Sequence, residues 1–255
     1  MKLRYLALVA VLLAPTSAFA VIEPFTGFDT TSSLDYAMRD SGLTLSSHTA
    51  ELSLRAQWVL LDDAPNLFAL RPGFAFGITE DLELGAEAIV LIEPGSDVLF
   101  VPRLVFTIIE GSTVDVALSG LLVFDFDDNN DNLLPTRQFG VPIRIKLLDS
   151  LSIFTGNNLI TWQHVGDDDF IDLNVNVGLG WQMSRDMALR FDTQLLAVNL
   201  IGDRESTTIS DIFPLGFSLL YGVASRVDIT AGATYYAVDG GNDFLALDGG
   251  LLARF

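Results

Sequence analysis

The sequence predicts an all-β chain: a transmembrane, antiparallel, up-and-down β-barrel of about twelve strands, with ten or fourteen also compatible with the spacing. Three observations predict it. From His48 onward, apolar and polar residues alternate with period two, and the alternation breaks at regular intervals. The breaks themselves alternate between tight turns and longer polar loops. Finally, 50% of the residues are hydrophobic and the mean hydropathy is +0.42, yet past residue 20 no apolar run approaches the roughly eighteen residues that a membrane helix needs. Ala88, Ile89, Val90, Leu91 and Ile92 form the longest such run. An apolar chain without spanning helices has one other way to satisfy its backbone in lipid, which is a closed barrel.

The first strand covers about 48–61, with Ala50, Leu52, Leu54, Ala56, Trp58 and Leu60 on one face and Glu51, Ser53, Arg55 and Gln57 on the other. A second, about 67–78, sets Phe68, Leu70, Phe74, Phe76 and Ile78 against Arg71, Gly73, Ala75 and Gly77. A third, about 82–93, sets Leu82, Leu84, Ala86, Ala88, Val90 and Ile92 against Glu83, Gly85, Glu87 and Glu93. The pattern recurs near 98–109, 114–126, 136–147, 151–162, 170–183, 187–201, 212–221, 227–237 and 244–255. The stretch at 170–183 is the cleanest, with Ile171, Leu173, Val175, Val177, Leu179, Trp181 and Met183 opposed to Asp172, Asn174, Asn176, Gly178, Gly180 and Gln182. The stretch at 151–162 does not fix its own phase.

Tight turns fall at 79–81, 110–113, 148–150, 184–186 and 222–226. Longer connections fall at 127–135, 163–169, 202–211 and 238–243, while 62–66 and 94–97 are shorter than the rest. Short periplasmic turns and longer outer loops are the rule for such barrels, and an even strand number puts both termini on the turn side. Residues 80–84, 149–153, 185–189 and 225–229 all read polar-polar-apolar-polar-apolar, the signature of a hairpin that closes directly into an alternating strand.

The N-terminus reads as an export signal over residues 1–20. Lys2 and Arg4 give a positive start, residues 5–14 an apolar core, Pro15 a break, and Ala18-Phe19-Ala20 a small-x-small cleavage site, so the mature chain begins near Val21. Residues 21–47, with Pro24, Gly27, Gly42 and many Ser and Thr, do not alternate cleanly. They read as a periplasmic lead-in or partial plug ahead of a barrel over 48–255, or as an extra strand pair that would give fourteen. The absence of Cys excludes a lipoprotein anchor, disulfides and thiolate metal sites. Without Lys2 and Arg4 the net charge is about −21, which argues against nucleic acid or anionic lipid held by a basic patch.

Aromatic residues concentrate at the strand ends. Trp58, Phe68, Phe100, Phe126, Phe139, Phe170 and Tyr235 lie near the loop side, and Phe76, Trp181, Tyr221 and Phe255 near the turn side. Two such girdles mark the membrane–water boundaries.

Charges are costly in a membrane-spanning segment unless they face water or partners. The expected inner face carries Glu51, Glu83, Glu87, Glu93, Asp115, Asp125, Asp172, Asp192, Asp228 and Asp248 together with Arg55, Arg71, Arg103, Arg144, Lys146, Arg190 and Arg254. From these, Glu51, Arg55, Arg71, Glu83, Glu87, Arg103, Asp115, Arg144, Lys146, Arg190, Asp192 and Asp228 form the expected lumen lining. Either they select solutes by charge, or they form an ion-pair network that fills a narrow barrel. The small acid excess favours cations. Asp127, Asn129 and Asp131 begin like a calcium loop, but Asn132 stands where the turn Gly is needed and Gln138 where the closing Glu is needed, so a polar surface loop is the simpler reading. Lipid hydrolysis would need a Ser activated by a His. The two histidines are His48, at a strand start beside Ser46 and Ser47, and His164, in a loop, and neither forms a His-x-Ser pattern on a strand. Gly178 and Gly180 fall on the inner face, where they relieve crowding. Nothing in the sequence calls for a cofactor.

The last strand places Leu245, Leu247, Gly249, Leu251, Ala253 and Phe255 on one face. A terminal Phe preceded by alternating apolar residues resembles the C-terminal signature of bacterial outer-membrane barrels, and the resemblance spans the mature chain. It implies residence in the outer membrane, contact with its lipid and lipopolysaccharide, and recognition of Phe255 by the barrel-assembly machinery. The segment Phe74-Ala75-Phe76-Gly77-Ile78-Thr79-Glu80-Asp81-Leu82-Glu83-Leu84-Gly85 resembles hairpins of outer-membrane transporters, including those grouped with aromatic-degradation pathways; it covers one hairpin and transfers no functional residue. The expected function is a passive channel or small-solute transporter without catalysis or nucleic-acid binding. A closed structural or adhesive barrel with acidic loops is the alternative, and a lipid-modifying enzyme is the third reading.

Overall fold

A computed structural model of the chain describes residues 43–61, 66–93, 97–125, 136–156, 159–165, 168–184, 186–201, 207–208, 212–224, 226–238 and 243–255. The expected signal sequence and the calcium-like loop of Asp127, Asn129 and Asp131 lie outside the described residues. Among those described, no helix is long and apolar enough to cross a membrane. The strands are β1 (Ala50–Leu61), β2 (Leu67–Gly77), β3 (Leu82–Glu93), β4 (Asp97–Glu110), β5 (Val114–Asp125), β6 (Thr136–Gly140), β7 (Ile143–Leu148), β8 (Leu151–Thr155), β9 (Ile160–Val165), β10 (Asp168–Ser184), β11 (Met187–Ile201), β12 (Thr207–Thr208), β13 (Ile212–Ala224), β14 (Val227–Val238) and β15 (Phe244–Arg254).

These strands make a closed antiparallel barrel of twelve staves. The β6 and β7 strands are two halves of one stave, β8 and β9 are two halves of the next, and β12 is a short pairing on the loop-side part of β11. The ring closes where β1 meets β15, from Glu51 opposite Arg254 to Leu61 opposite Phe244. Phe255 completes the seam: Ala50 N–H donates to the Phe255 carbonyl (3.1 Å) and Phe255 N–H to the Ala50 carbonyl (2.9 Å).

Both split staves have local causes. Pro142 has no N–H to give to a ladder, so the first interruption falls at 141–142. Thr155 bridges it: the Ile143 N–H donates to the Thr155 hydroxyl (2.9 Å), and that hydroxyl donates to the Val141 carbonyl (3.0 Å). The Ala117 N–H reaches the Pro142 carbonyl (2.9 Å), so β5 spans the gap from the other side. In the second split stave, Val177 pairs with Thr155 and Leu173 with Ile160, so this stave carries one residue more than β10 over the same stretch. An extra residue flips the facing of everything beyond it. Ser152 and Phe154 therefore face inward before the break and Thr161 after it, which is why residues 151–162 show no single phase in sequence. The same stave runs on to Val165, opposite Asp168, so His164 sits in a strand rather than in the loop expected at 163–169.

The alternation sorts side chains inside out. Outward positions carry Leu52, Leu54, Trp58, Phe74, Leu84, Leu104, Phe106, Leu118, Phe217, Leu247 and Leu251, all exposed, while inward positions bury Arg55, Gln57, Arg71, Glu83, Asp115, Arg144 and Asn174. A belt of exposed aliphatic side chains around a whole barrel far exceeds the few hundred Å² of apolar patch that water-soluble surfaces carry. It fits a hydrocarbon surround, with the polar groups withdrawn to the interior. Phe126 of the expected girdle lies outside the described residues, and among those described the girdle differs from expectation in one place. Phe170 shares the alternation of Asp172 and Asn174, and the outward aromatic ring there is Trp162, opposite Ile171.

Leu104, near the middle of β4 and exposed on the outward face, tests this placement. Leu104→Arg is expected to cost about 2–4 kcal/mol in lipid, as for a base near the midplane. Denaturant titration in vesicles measures it, and a parental midpoint would take that face off the hydrocarbon.

Candidate functional site in the barrel interior

Each of the twelve residues expected to line the interior belongs to an ion pair there. On β1–β3, Arg55 and Arg71 share one carboxylate. Arg55 donates to Glu87 Oε1 (2.8 Å), and Arg71 grips both Glu87 oxygens, Nε to Oε1 (2.9 Å) and Nη2 to Oε2 (2.8 Å). A forked guanidinium on a carboxylate fixes both in one plane. Gln57 accepts a long bond from Arg71 Nη1 (3.5 Å). On β3 and β4, Arg103 donates to Glu83 Oε1 (2.9 Å). The other Glu83 oxygen accepts the Leu45 N–H (3.0 Å), which ties residues 43–49 to the turn-side mouth.

The tightest cluster spans β5 and β7. Asp115 and Arg144 stand opposite each other in register. Arg144 directs Nε (2.8 Å) and Nη2 (2.5 Å) at Asp115 Oδ2, while Lys146 Nζ lies 3.0 Å from Oδ1. The Gly111 N–H also donates to Oδ1, and Lys146 donates to the Gly111 carbonyl, so the cluster holds the 111–113 turn. Asp115 is 0% and Arg144 2% exposed, so neither charge has water in place of its partner. At the closing seam Arg254 bridges two staves, Nε to Glu51 Oε2 (3.0 Å) and Nη1 to Asp228 Oδ2 (2.8 Å). On β11, Arg190 and Asp192 approach to 3.7 Å.

Half-way round the ring from the Arg55–Arg71–Glu87 cluster, the inner face of β9–β11 is a wall of amides and hydroxyls. Asn174 Nδ2 donates to Thr161 Oγ1 (3.2 Å), Gln194 Nε2 to Asn174 Oδ1 (3.2 Å), and Asn199 Nδ2 to Asp172 Oδ1 (2.9 Å). Asp172, Asn174 and Asn176 were legible as the inner face of β10. Gln138, Thr161 and Gln194, buried beside them, were missed, and the polar residue at every second position was the only available signal. Also missed was Tyr236, fully buried and stacked on Phe244 at 4.2 Å between ring centres.

Gly178 shows why glycine stands on this face. A Cβ there would lie 2.2 Å from the Phe154 ring, so its absence is what lets that ring cross the strand. Arg190 then stacks over the same ring, 4.0 Å from its centre. The side chains of Glu93 and Asp125 lie outside the described residues. Asp172 and Asp248 have no base within ion-pair distance among the described residues, so the interior leans acidic.

The other histidine lies outside the barrel wall. His48 has a positive φ of 64° at the start of β1, and its Nδ1 lies 2.7 Å from Ser47 Oγ. A Ser beside an imidazole is half of a nucleophile arrangement, which needs a third group to orient the ring. Among the described residues no carboxylate bonds to this one.

No protein-family model matches the chain, and the search of curated proteins returns no match. Solved structures do match in fold. The COG4313 outer membrane channel from Pseudomonas putida F1 aligns at a TM-score of 0.58 and 10% identity, over 83% of this chain and 97% of that one. The NanC porin aligns at 0.57 and 12%, over 78% and 98%. The translocator domain of the autotransporter NalP from Neisseria meningitidis aligns at 0.57 and 10%, over 97% and 98%. At these identities the likeness establishes the outer-membrane barrel fold and transfers no residue role.

Removing one member of a buried pair leaves an uncompensated charge and costs about 3–5 kcal/mol. Asp115→Asn is therefore expected to lower stability by that order, and adding Arg144→Met should recover part of it. Denaturant midpoints of the refolded barrels decide this; a single variant as stable as the parent would show that the pair contributes nothing.

Proposed function

We propose that the chain is an outer-membrane channel through which small polar solutes diffuse, with Glu51, Arg55, Arg71, Glu83, Glu87, Arg103, Asp115, Arg144, Lys146, Arg190, Asp192 and Asp228 lining the path. The observation that carries this reading is the inversion of polarity across the barrel wall, with exposed aliphatic side chains outside and charged and amide side chains inside. A lining of fixed charges selects ions and solutes by sign. The acidic lean contributed by Asp172 and Asp248 favours cations, and the amide wall of Asn174, Gln194 and Asn199 offers neutral hydrogen bonds across from the charged one. Two structural neighbours named as a channel and a porin support the reading. No step needs catalysis or a cofactor.

Residues 43–47 act in this reading as a partial plug. Leu43, Thr44 and Leu45 are buried, and Thr44 bonds to the Glu80 carbonyl (2.8 Å) and the Thr107 hydroxyl (3.2 Å). Export through residues 1–20, delivery by the barrel-assembly machinery through Phe255, and residence among lipopolysaccharide complete the proposal.

A closed structural barrel is the second reading, and the pairing of all twelve lining charges favours it. Planar-bilayer conductance of the refolded mature chain separates the two. The channel reading expects steady single-channel steps whose reversal potential shifts toward cations in both Arg71→Ala and Arg103→Ala. Steps with unchanged reversal potentials in both variants would remove these residues from the path, and a heat-modifiable barrel without steps would favour the structural reading.

A further inference from the structure

Among the described strand residues, the bases face inward with one exception. Arg137, the second residue of β6, shares the outward face with Phe139, whereas Gln138 between them is buried. Its guanidinium carbon lies 4.3 Å above the centre of the Trp162 ring. That ring is itself fixed, because the Trp162 indole N–H donates to Asp169 Oδ1 (3.1 Å). Asp169 thus engages the indole, and the Arg137 guanidinium makes no hydrogen bond or ion pair among the described residues. Among the described residues its contact is the aromatic face against which its plane is held.

The position gives this arrangement meaning. Arg137 lies at the loop-side end of its strand, and an outward base costs about 2–4 kcal/mol at the bilayer midplane but only about 0–1 near the interfaces. At the interface the neighbouring groups are headgroups, and the guanidinium fork matches the oxygen pair of a phosphate. Stacking on Trp162 orders the fork before binding. The chain as a whole is strongly acidic, so a base held on the outward face offers a phosphorylated headgroup an attraction that few other positions of the chain provide.

We propose that Arg137, stacked on Trp162, is a binding site for the phosphate of a phosphorylated outer-leaflet glycolipid. The proposal rests on the membrane placement of the barrel and is independent of whether the interior conducts.

The chain has three tryptophans, so Trp58→Phe with Trp181→Phe leaves Trp162 as the sole indole reporter. The refolded, heat-modifiable double variant is titrated with mixed micelles containing phosphorylated lipid A, with the same micelles containing enzymatically dephosphorylated lipid A, and with inorganic phosphate. The expected result is a saturable change in Trp162 emission with phosphorylated lipid A alone. Arg137→Ala should weaken half-saturation by roughly tenfold, as for loss of a charge-assisted hydrogen bond, and Arg137→Lys should weaken it less. If the alanine variant does not refold, Arg137→Gln takes its place. An equal response to dephosphorylated lipid A, or an unchanged response without Arg137, would overturn the site. Saturation by inorganic phosphate alone would make it an anion site and overturn the lipid assignment. A barrel that passes this test but gives no conductance steps would keep the site and lose the channel.

Discussion

Backbone hydrogen bonding is the constraint on which this structure depends. In hydrocarbon no water is available to pair an N–H or C=O, so a sheet can cross only if it has no edge. The seam between β1 and β15 removes that edge, and the paired Ala50 and Phe255 bonds complete it. The same requirement explains the repairs elsewhere. Thr155 supplies side-chain bonds where Pro142 interrupts a ladder, and the extra residue between Thr155 and Ile160 is absorbed while β10 stays continuous.

Closure also decides where the polar residues go. With lipid outside and period-two alternation along every stave, charged side chains are forced into a narrow interior. There a charge is costly unless a partner offsets its desolvation, by an ion pair for most of these residues and by an amide for Asp172. The clusters meet that condition by sharing. Glu87 serves Arg55 and Arg71, Asp115 serves Arg144 and Lys146, and Arg254 serves Glu51 and Asp228. Each cluster links neighbouring staves, so the polar groups of the lining also hold the wall together. In the proposed channel, selectivity and stability therefore draw on the same side chains.

The outer face follows the opposite logic, and its departures are informative. Aliphatic side chains dominate it, and aromatic rings gather toward the strand ends, where an amphipathic ring is most at ease. Arg137 is tolerated on this face because it sits at the boundary and lies on Trp162, whose position is set by Asp169. None of the three residues signals this in sequence, since they belong to β6, β9 and β10 and meet only through strand pairing.

By itself the sequence determined the class of fold, the facing of most strands and the identity of the inward charges, because a two-residue period and a turn every ten or so residues are local properties that each strand declares on its own. Where the local signal is mixed, as at residues 151–165, the phase was not legible, and only pairing with a regular β10 resolved it. The partners of each charge were not legible either. Which arginine meets which carboxylate depends on register between strands as distant in sequence as β1 and β15, and register is set when the ring closes. Tertiary structure alone decided that Glu51 meets Arg254, that Phe154 crosses Gly178, that Leu43 to Leu45 enter the turn-side mouth, and that Arg137, among the described strand residues, stays on the outward face.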